Sequence, residues 1–187
     1  QPNPEMKVSD VFHPQSITKI NKNTYILDMG QNMTGWIRMK VKGNAGHEVK
    51  LRFAEILQED GSLSMANLRD ALVTDKYILK GDPQGEEWAP IFTTHGFRYV
   101  ELSNYPGEPK PENFIGEFVS DEMEDLGYFE SSSEVLNGIV RNAYWGIKGN
   151  YKGMPIDCPQ RNERMPWLGD RTIGAYGESF LFENDKL

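Results

Sequence analysis

Cysteine is the scarcest chemistry-bearing residue in this sequence, with Cys158 the only one among 187 residues. A single cysteine excludes a disulfide within the chain, but it leaves the compartment open because many secreted proteins have none. Basic charge is also scarce, since 20 lysines and arginines stand against 28 aspartates and glutamates, for a formal net charge of −8. Without a basic surplus, the chain lacks the charge that binding to nucleic acid phosphates requires.

Long apolar runs and basic runs are missing as well. No apolar stretch reaches the length that spans a bilayer, and no basic run is present that would dock on an anionic membrane surface. The sequence therefore predicts neither a nucleic acid nor a membrane as partner. Hydrophobic residues make up 38% and charged residues 26%, which is typical of a globular protein. The length allows one domain of ordinary size, or one domain and part of another.

The first 120 residues have the period of β-structure. Short segments rich in β-branched and aromatic residues, most of them alternating, occupy residues 24–29, 36–42, 47–54, 75–80, 97–102 and 114–119. Turn signals separate these segments, and no helical crossover lies between them, which predicts an antiparallel β-sandwich. We expect this domain to cover residues 1–122, with 1–22 as a linker or as the tail of a preceding domain. Residues 62–74 are predicted to form a longer connection with a helical turn.

The period changes to helical after about residue 125. Ser131 and Glu134 have the spacing of a capping box and predict the start of a first helix. Its apolar stripe is formed by Leu136, Val140, Ala143, Tyr144 and Ile147.

A second helix is predicted from Asp170, as its N-cap, to Phe182. Its apolar side is formed by Ile173, Tyr176, Phe180 and Leu181. Two helices joined by a loop cannot bury such stripes by themselves. We therefore expect residues 123–187 to be the beginning of a larger α-helical domain.

Charged residues are concentrated in the segment between the two helices, DCPQRNERMPWLGD, residues 157–170. A general acid for bond cleavage needs a carboxyl group with a raised pKa, close to an apolar wall and to like charges. Glu163 is the candidate, because Trp167 follows four residues later. We expect the arginines of the segment to hold its aspartates ionised, which would leave one carboxyl group free to keep its proton. A solvated loop of salt bridges is the alternative interpretation of the same residues.

Cys158 has no histidine near it in sequence, since all three histidines lie in the β region. A catalytic thiol is normally activated by such a neighbour, so we expect Cys158 to be a buried packing residue. The absence of a second cysteine or histidine at ligand spacing argues against a metal site.

The segment 157–170 resembles the signature of the bacterial α-L-rhamnosidases, which has the form D-C-P-Q-R-D-E-R-x-G-W-x-G-D. Upstream segments resemble the same family in kind and order: GQNMTGWIRMKVKG (30–43), VKLRFAEILQEDG (49–61), TDKYILKG (74–81) and PIFTTHGFRYVEL (90–102). The resemblance covers the chain from about residue 25 onwards. Two positions depart from the signature: Asn162 stands in place of the usual aspartate, and Pro166 in place of the usual glycine.

This resemblance implies a β-sandwich that precedes an (α/α)6 barrel, of which residues 123–187 would be the first helices and the acid-bearing loop. It implies an inverting glycoside hydrolase that releases terminal L-rhamnose from a glycoside or polysaccharide, with no cofactor and no metal. Glu163 would be the general acid, and the substrate-binding residues would be Asp157, Arg161, Trp167 and Asp170. The general base would lie beyond residue 187, in the remainder of the barrel, so that the chain alone would be inactive.

The alternative is a carbohydrate-binding or purely structural sandwich with a non-catalytic helical tail. Exposed aromatic residues could stack on a sugar ring in such a module, and the candidates are Trp36, Trp88 and Tyr105. The segment from His95 to Tyr99 is expected to pack at the boundary between the β region and the helices.

Overall fold

The structure, a computed structural model, describes residues 4–183, which form eight β-strands followed by two α-helices. The strands are β1 (Met6–Phe12), β2 (Ser16–Asn21), β3 (Thr24–Val41), β4 (Glu48–Ala54), β5 (Thr74–Ile78), β6 (Glu86–Trp88), β7 (His95–Ser103) and β8 (Phe114–Asp121). The helices are α1 (Glu134–Gly149) and α2 (Leu168–Glu178).

All described strands are hydrogen-bonded into one antiparallel sheet. The order is β1-β8-β3-β7-β4-β5, and β2 and β6 pair with further parts of β3. The predicted antiparallel pairing is confirmed. The β-sandwich stays a prediction, because the described strands do not separate into two hydrogen-bonded sheets. The domain boundary at residue 122 also stays a prediction.

The long strand β3 connects the two ends of this sheet. Its first part pairs with β2 and β7, and its last part pairs with β8 and β6. The sequence predicted two strands here, 24–29 and 36–42, separated by a turn, and that separation is wrong. Gly30 has a φ of +79°, and the register with β7 shifts between Asp28 and Met33, so the turn signal marks a bulge within one strand.

The prediction of a linker or tail over residues 1–22 is wrong for the two segments that form β1 and β2. β1 pairs with β8 and β2 pairs with β3, so both belong to the same sheet. Their side chains are mostly exposed. An exposed strand carries little hydrophobic alternation, which is the signal on which the sequence prediction depended.

The sheet curls around one apolar core. Inward side chains of β3, β4, β5, β7 and β8 form a single cluster, which includes Leu27, Ile37, Leu51, Phe53, Phe97, Leu102, Phe114 and Phe118, each at most 1% exposed. A smaller cluster on the other face contains Ile26, Ala54 and Leu63. It lies under the connection between β4 and β5, where a 3-10 turn at Ala66–Leu68 confirms the predicted helical turn.

Both helices begin at positions other than the predicted ones. The N-cap of α1 is Ser133, whose hydroxyl accepts a hydrogen bond from the N–H of Leu136, whereas Ser131 bonds to Asn137. α2 begins at Leu168, so that Asp170 lies in its first turn and not at its cap. An acidic residue is favourable at either place, because both lie at the positive end of the helix dipole.

α1 contacts the sheet through a different face from the predicted stripe. Trp145 packs edge-on against Phe118, with 5.1 Å between ring centroids, and against Phe12 at 5.7 Å. Gly149 lies close to Thr34, where a Cβ atom would stand 2.9 Å from the threonine hydroxyl. In contrast, Leu136 of the predicted stripe is 48% exposed. Neither α1 nor α2 combines the length and apolar character that crossing a bilayer demands.

Candidate active site

The segment that joins α1 to α2, residues 150–167, is called the carboxylate loop below. Asp157 closes this loop, because its backbone N–H donates to the carbonyl of Met165 at 3.1 Å and its side chain accepts from the Met165 N–H at 2.8 Å. Arg164 next to this closure has a φ of +51°, a conformation that is costly for a residue with a Cβ atom. The closure brings the charged residues of the segment into one compact group.

Glu163 lies at the centre of this group, and its side chain is 20% exposed. Its Oε2 atom is 2.9 Å from the Nη2 of Arg161 and 2.9 Å from the Nη1 of Arg69. Its Oε1 atom accepts a hydrogen bond from the indole N–H of Trp167 at 3.1 Å. One oxygen therefore takes both guanidinium contacts, while the other has a single neutral donor.

The expectation that the arginines hold the aspartates is wrong. Arg161 donates to Glu163 and to the sulfur of Cys158, the latter at 3.1 Å. Arg164 donates to two backbone carbonyls, those of Arg161 and Thr94. Arg161 and Arg69 both contact the carboxyl group of the proposed acid, so the expectation that the arginines leave this carboxyl group free is wrong as well. Spacing along the chain does not determine this pairing.

Asp157 is held by neutral donors. Burial acts to raise its pKa, but the hydrogen bonds from the Cys158 thiol, at 3.0 Å, and from the Met165 N–H outweigh it and hold the pKa of Asp157 below its usual range. Burial and the neighbouring Asp157 carboxylate raise the pKa of the Cys158 thiol. The thiol is buried, as predicted, but it also serves as a hydrogen-bond donor.

Ligand atoms of Asp157, Cys158 and Glu163 all lie within 4.8 Å of one another, a separation that could suit a metal ion. Arg161 already contacts both Cys158 and Glu163, and Arg69 adds a second cation. Two guanidinium groups in contact with this cluster oppose the approach of a further cation. The donor set does not support a metal centre.

A cavity of 290 Å³ opens between α1, α2 and the carboxylate loop. Three of the predicted substrate-binding residues line it: Asp157, Trp167 and Asp170. Glu163 and Arg161 are not among its lining residues, but the Trp167 indole joins the cavity to the Glu163 carboxyl group. The structure therefore brings the five predicted site residues close together: three line the cavity, Glu163 is bonded to one of these through Trp167, and Arg161 is bonded to Glu163.

Other residues of this cavity were missed by the sequence analysis. Glu178, buried at the end of α2, accepts a hydrogen bond from the Tyr151 hydroxyl at 2.6 Å and lies 2.8 Å from a guanidinium nitrogen of Arg171. Burial, and then the Glu178 carboxylate, raise the pKa of Tyr151. Seven residues separate Arg171 from Glu178, which is two helical turns, and this spacing was the available signal.

Arg69 was missed too, and here the sequence offers no signal. It lies on the connection between β4 and β5, 94 residues before Glu163. The expected boundary contact of the His95–Tyr99 segment is present: a Cβ atom on Gly96 would lie 2.9 Å from the Cβ of Gln160.

The aromatic residues proposed for a sugar-binding module each have a partner within the sheet. The Trp36 indole N–H donates to Glu117, Trp88 stacks on Tyr77, and the Tyr105 hydroxyl donates to the carbonyl of Lys40. All three are partly buried. They do not form a shared open platform on which a sugar could stack.

Two family models match this chain. The bacterial α-L-rhamnosidase concanavalin-like domain matches residues 18–120, more than half of the chain. The bacterial α-L-rhamnosidase six-hairpin glycosidase domain matches residues 124–187.

Curated relatives and solved structures agree with these matches. An α-L-rhamnosidase from Streptomyces avermitilis is 38% identical over 183 residues, which is 97% of this chain and 18% of the relative. An α-L-rhamnosidase from Formosa agariphila is 42% identical over 86% of this chain and 17% of the relative. The chain thus spans about a fifth of the length of the curated relatives it matches.

Among solved structures, an α-L-rhamnosidase from Dictyoglumus thermophilum superposes with a TM-score of 0.94 and 42% identity, covering 97% of this chain and 20% of that one. The Streptomyces avermitilis enzyme complexed with L-rhamnose superposes with a TM-score of 0.95 and 36% identity, covering 100% of this chain and 18% of that one. The curated relatives, the two family models and the solved structures each or together match almost the whole chain. The chain belongs to the bacterial α-L-rhamnosidase family of glycoside hydrolases.

Proposed function

We propose that this chain carries the acid-bearing part of an α-L-rhamnosidase active site, which hydrolyses terminal α-L-rhamnosyl linkages with inversion. The observation that carries the proposal is the Glu163 carboxyl group, held by Arg69, Arg161 and Trp167 beside a cavity lined with carboxylates. Membership of the family supports the substrate class, as does a relative whose structure contains L-rhamnose.

Glu163 acts as the general acid in this proposal. Its Oε2 already accepts from two guanidinium groups, which leaves Oε1 as the oxygen that can carry the transferable proton. The Trp167 indole N–H at Oε1 fixes the plane of the carboxyl group. The proton then passes from Oε1 to the glycosidic oxygen as the bond to the sugar breaks.

Asp157, Trp167 and Asp170 bind the rhamnosyl ring. The lowered pKa of Asp157 keeps it ionised at neutral pH, so that it accepts hydrogen bonds from sugar hydroxyl groups. Trp167 supplies an apolar surface for the ring and its methyl group. Arg161 contributes by holding Glu163 and Cys158 in place.

Inversion needs a second carboxylate that activates a water molecule on the opposite face of the sugar. Within residues 4–183, Glu178 is a buried carboxylate of this cavity, but Tyr151 and Arg171 already contact its Oε2 atom. We place the general base beyond Leu187, in the remainder of an (α/α)6 barrel. Without that base, the 187-residue chain has negligible glycosidase activity.

The apolar surface of the two helices supports a barrel partner. Large side chains stand in solvent on both helices: Val135 is 72% exposed, Ile139 58%, Ile173 89% and Tyr176 80%. Large apolar side chains exposed on both helices indicate a surface that another element covers. Further helices of the six-hairpin domain would cover it.

The test uses the complete enzyme, meaning a polypeptide that carries this chain together with the rest of its six-hairpin domain. Glu163→Gln should lower kcat on an alkyl α-L-rhamnoside, whose leaving group needs protonation, by about 10²-fold to 10⁴-fold, which is the usual contribution of a general acid. Proton NMR of the first product should show the anomer opposite to that of the substrate.

Glu101→Gln is the matched control, because Glu101 is also ion-paired to an arginine, Arg52, but lies on the sheet at β7. It should keep the parent rate. Wild-type turnover by Glu163→Gln would refute the acid assignment, and a product with retained configuration would refute inversion.

A further inference from the structure

Glu163 has one partner that comes from the sheet and not from the helical region. Arg69 follows the 3-10 turn between β4 and β5, and its guanidinium group contacts the Glu163 carboxyl group at 2.9 Å. The next residue, Asp70, accepts a hydrogen bond from the side-chain amide of Asn162. Two consecutive residues of the connection between β4 and β5 thus contact two consecutive residues of the carboxylate loop.

We propose that Arg69 and Asp70 form a clamp by which the sheet positions the Glu163 carboxyl group for proton transfer. This inference rests on the proposed role of Glu163 as general acid. Arg69 acts through Glu163 and is therefore a positioning residue. Asp70 acts one step further away, through the backbone next to the acid.

Contacts of the neighbouring residues hold the backbone at Arg69 in place. Leu68, directly before Arg69, is 1% exposed, and its carbonyl accepts a hydrogen bond from the N–H of Ala71. The side-chain amide of Asn67 donates to Glu55 at the end of β4. Arg69 itself has a φ of +56°, a conformation that a non-glycine residue adopts only when its surroundings require it. These contacts fix the point from which the Arg69 side chain reaches the acid.

Arg161 cannot position the Glu163 carboxyl group relative to the sheet. It lies two residues from Glu163 on the carboxylate loop, so it orients the carboxyl group relative to that loop alone. Arg69 orients the carboxyl group relative to the sheet. Misplacement of a reacting group by about 1 Å can cost on the order of 10²-fold in rate. A contact from outside the loop that holds the Glu163 carboxyl group in place therefore raises kcat.

Other contacts attach the carboxylate loop to the sheet without touching the acid. Arg164 donates to the carbonyl of Thr94 at 2.8 Å, and Gln160 lies against Gly96. These contacts dock the loop as a whole. Of the described residues of the sheet region, Arg69 is the one whose side chain forms an ion pair with the Glu163 carboxyl group.

Asn162 fits this clamp by its chemistry. Its amide donates a hydrogen bond to the Asp70 carboxylate. An aspartate at position 162, which is the usual residue in the family signature, would place a second carboxylate against Asp70, and like charges at hydrogen-bonding distance repel. Asn162, which replaces the usual aspartate, therefore pairs with Asp70 without repulsion between like charges.

The test measures kcat and KM in the complete enzyme for α-L-rhamnosides with leaving groups of different acidity. A poor leaving group such as an alkyl alcohol needs protonation by the acid, whereas 2,4-dinitrophenolate departs with little help. We expect Arg69→Gln to lower kcat by about 10-fold to 100-fold on the alkyl rhamnoside and by less than about 2-fold on the dinitrophenyl rhamnoside. KM should change little, and Arg69→Lys should restore part of the loss.

Arg52→Gln is the matched control, since Arg52 forms a similar half-exposed ion pair with Glu101 on the sheet. It should leave both substrates at the parent rate. Equal losses on both substrates for Arg69→Gln would show that Arg69 only stabilises the fold, and unchanged rates would show that it has no role. Either result overturns the clamp.

A charge swap tests Asp70 in the same assay. Asn162→Asp should lower kcat on the alkyl rhamnoside, and Asp70→Asn added to it should restore most of the loss, because one amide and one carboxylate again face each other. A double variant no better than Asn162→Asp would contradict the pairing.

Glu163→Gln, measured in the same series, separates this inference from the proposed function. If Glu163→Gln shows no dependence on the leaving group, the acid assignment itself fails. If it shows that dependence and Arg69→Gln does not, only the clamp fails.

Discussion

The sheet and the two helices bury their apolar side chains to very different extents. In the sheet, Phe97, Leu51 and Phe118 are fully buried in a core that the strands close by themselves. On α2, Ile173 and Tyr176 are 89% and 80% exposed. The region that carries the charged site is thus the one with the weaker core of its own.

This difference shows how stability and chemistry are divided along the chain. The proposed site lies on the carboxylate loop, between helices that hold little apolar surface in common. Contacts with the sheet, through Trp145, Arg164 and the Arg69–Asp70 clamp, supply the rigidity that the loop lacks. A preorganised site on a weakly packed segment needs such external support.

A core substitution is expected to show the largest difference between the sheet and the helices in its effect on the free energy of unfolding. Phe97→Ala should lower the free energy of unfolding of the chain by about 3–5 kcal/mol, because it removes a fully buried ring and leaves a cavity. Ile173→Ala on α2 should change it by less than about 0.5 kcal/mol. Urea denaturation followed by circular dichroism measures both, and equal effects would mean that the helices share the core.

The next largest effect concerns Lys152, which joins the two regions. Its ammonium group donates to the carbonyls of Val119 at the end of β8 and of Gly149 at the end of α1. Burial lowers the pKa of Lys152 to about 7, against its ordinary 10.5, and the nearby Asp121 offsets this only in part. The unfolded chain therefore binds more protons than the folded chain between about pH 7 and pH 10, so that stability rises with pH in that window.

We expect this rise to reach at most about 1.4 kcal/mol per pH unit, the limit for one proton. Lys152→Met should remove most of it, as urea denaturation between pH 7 and pH 9 would show. Lys76→Met is the matched control, because Lys76 is ion-paired to Glu48 on the surface of the sheet. The same pH slope in both variants would contradict the lowered pKa of the buried Lys152 side chain.

The sequence predicted the sheet well where its side chains alternate between core and solvent. The segments within β4 and β5 were found because their buried residues recur at every second position. β8 is buried almost throughout, and it was found by its β-branched and aromatic residues. β1 and β2 were missed because their side chains are mostly exposed. The bulge in β3 resembled a turn, because a glycine with positive φ serves both structures.

The candidate site could be predicted only as far as residues that are close along the chain. Glu163 and Trp167 are four residues apart, and their hydrogen bond agrees with their proximity. Arg69 reaches the same carboxyl group from 94 residues upstream, through the path of the sheet, and no local pattern encodes that distance. The partners of the arginines were wrong for the same reason, since several carboxylates were equally near in sequence.

The most direct test of this division is hydrogen exchange on the 187-residue chain, with and without the clamp. In the double variant Arg69→Gln and Asp70→Asn, the amides of Asp157 and Met165, which close the carboxylate loop, should exchange about tenfold faster than in the parent, while those of β3 and β7 keep their protection. That result would show that the sheet holds the loop. Unchanged exchange at Asp157 and Met165 would contradict the account.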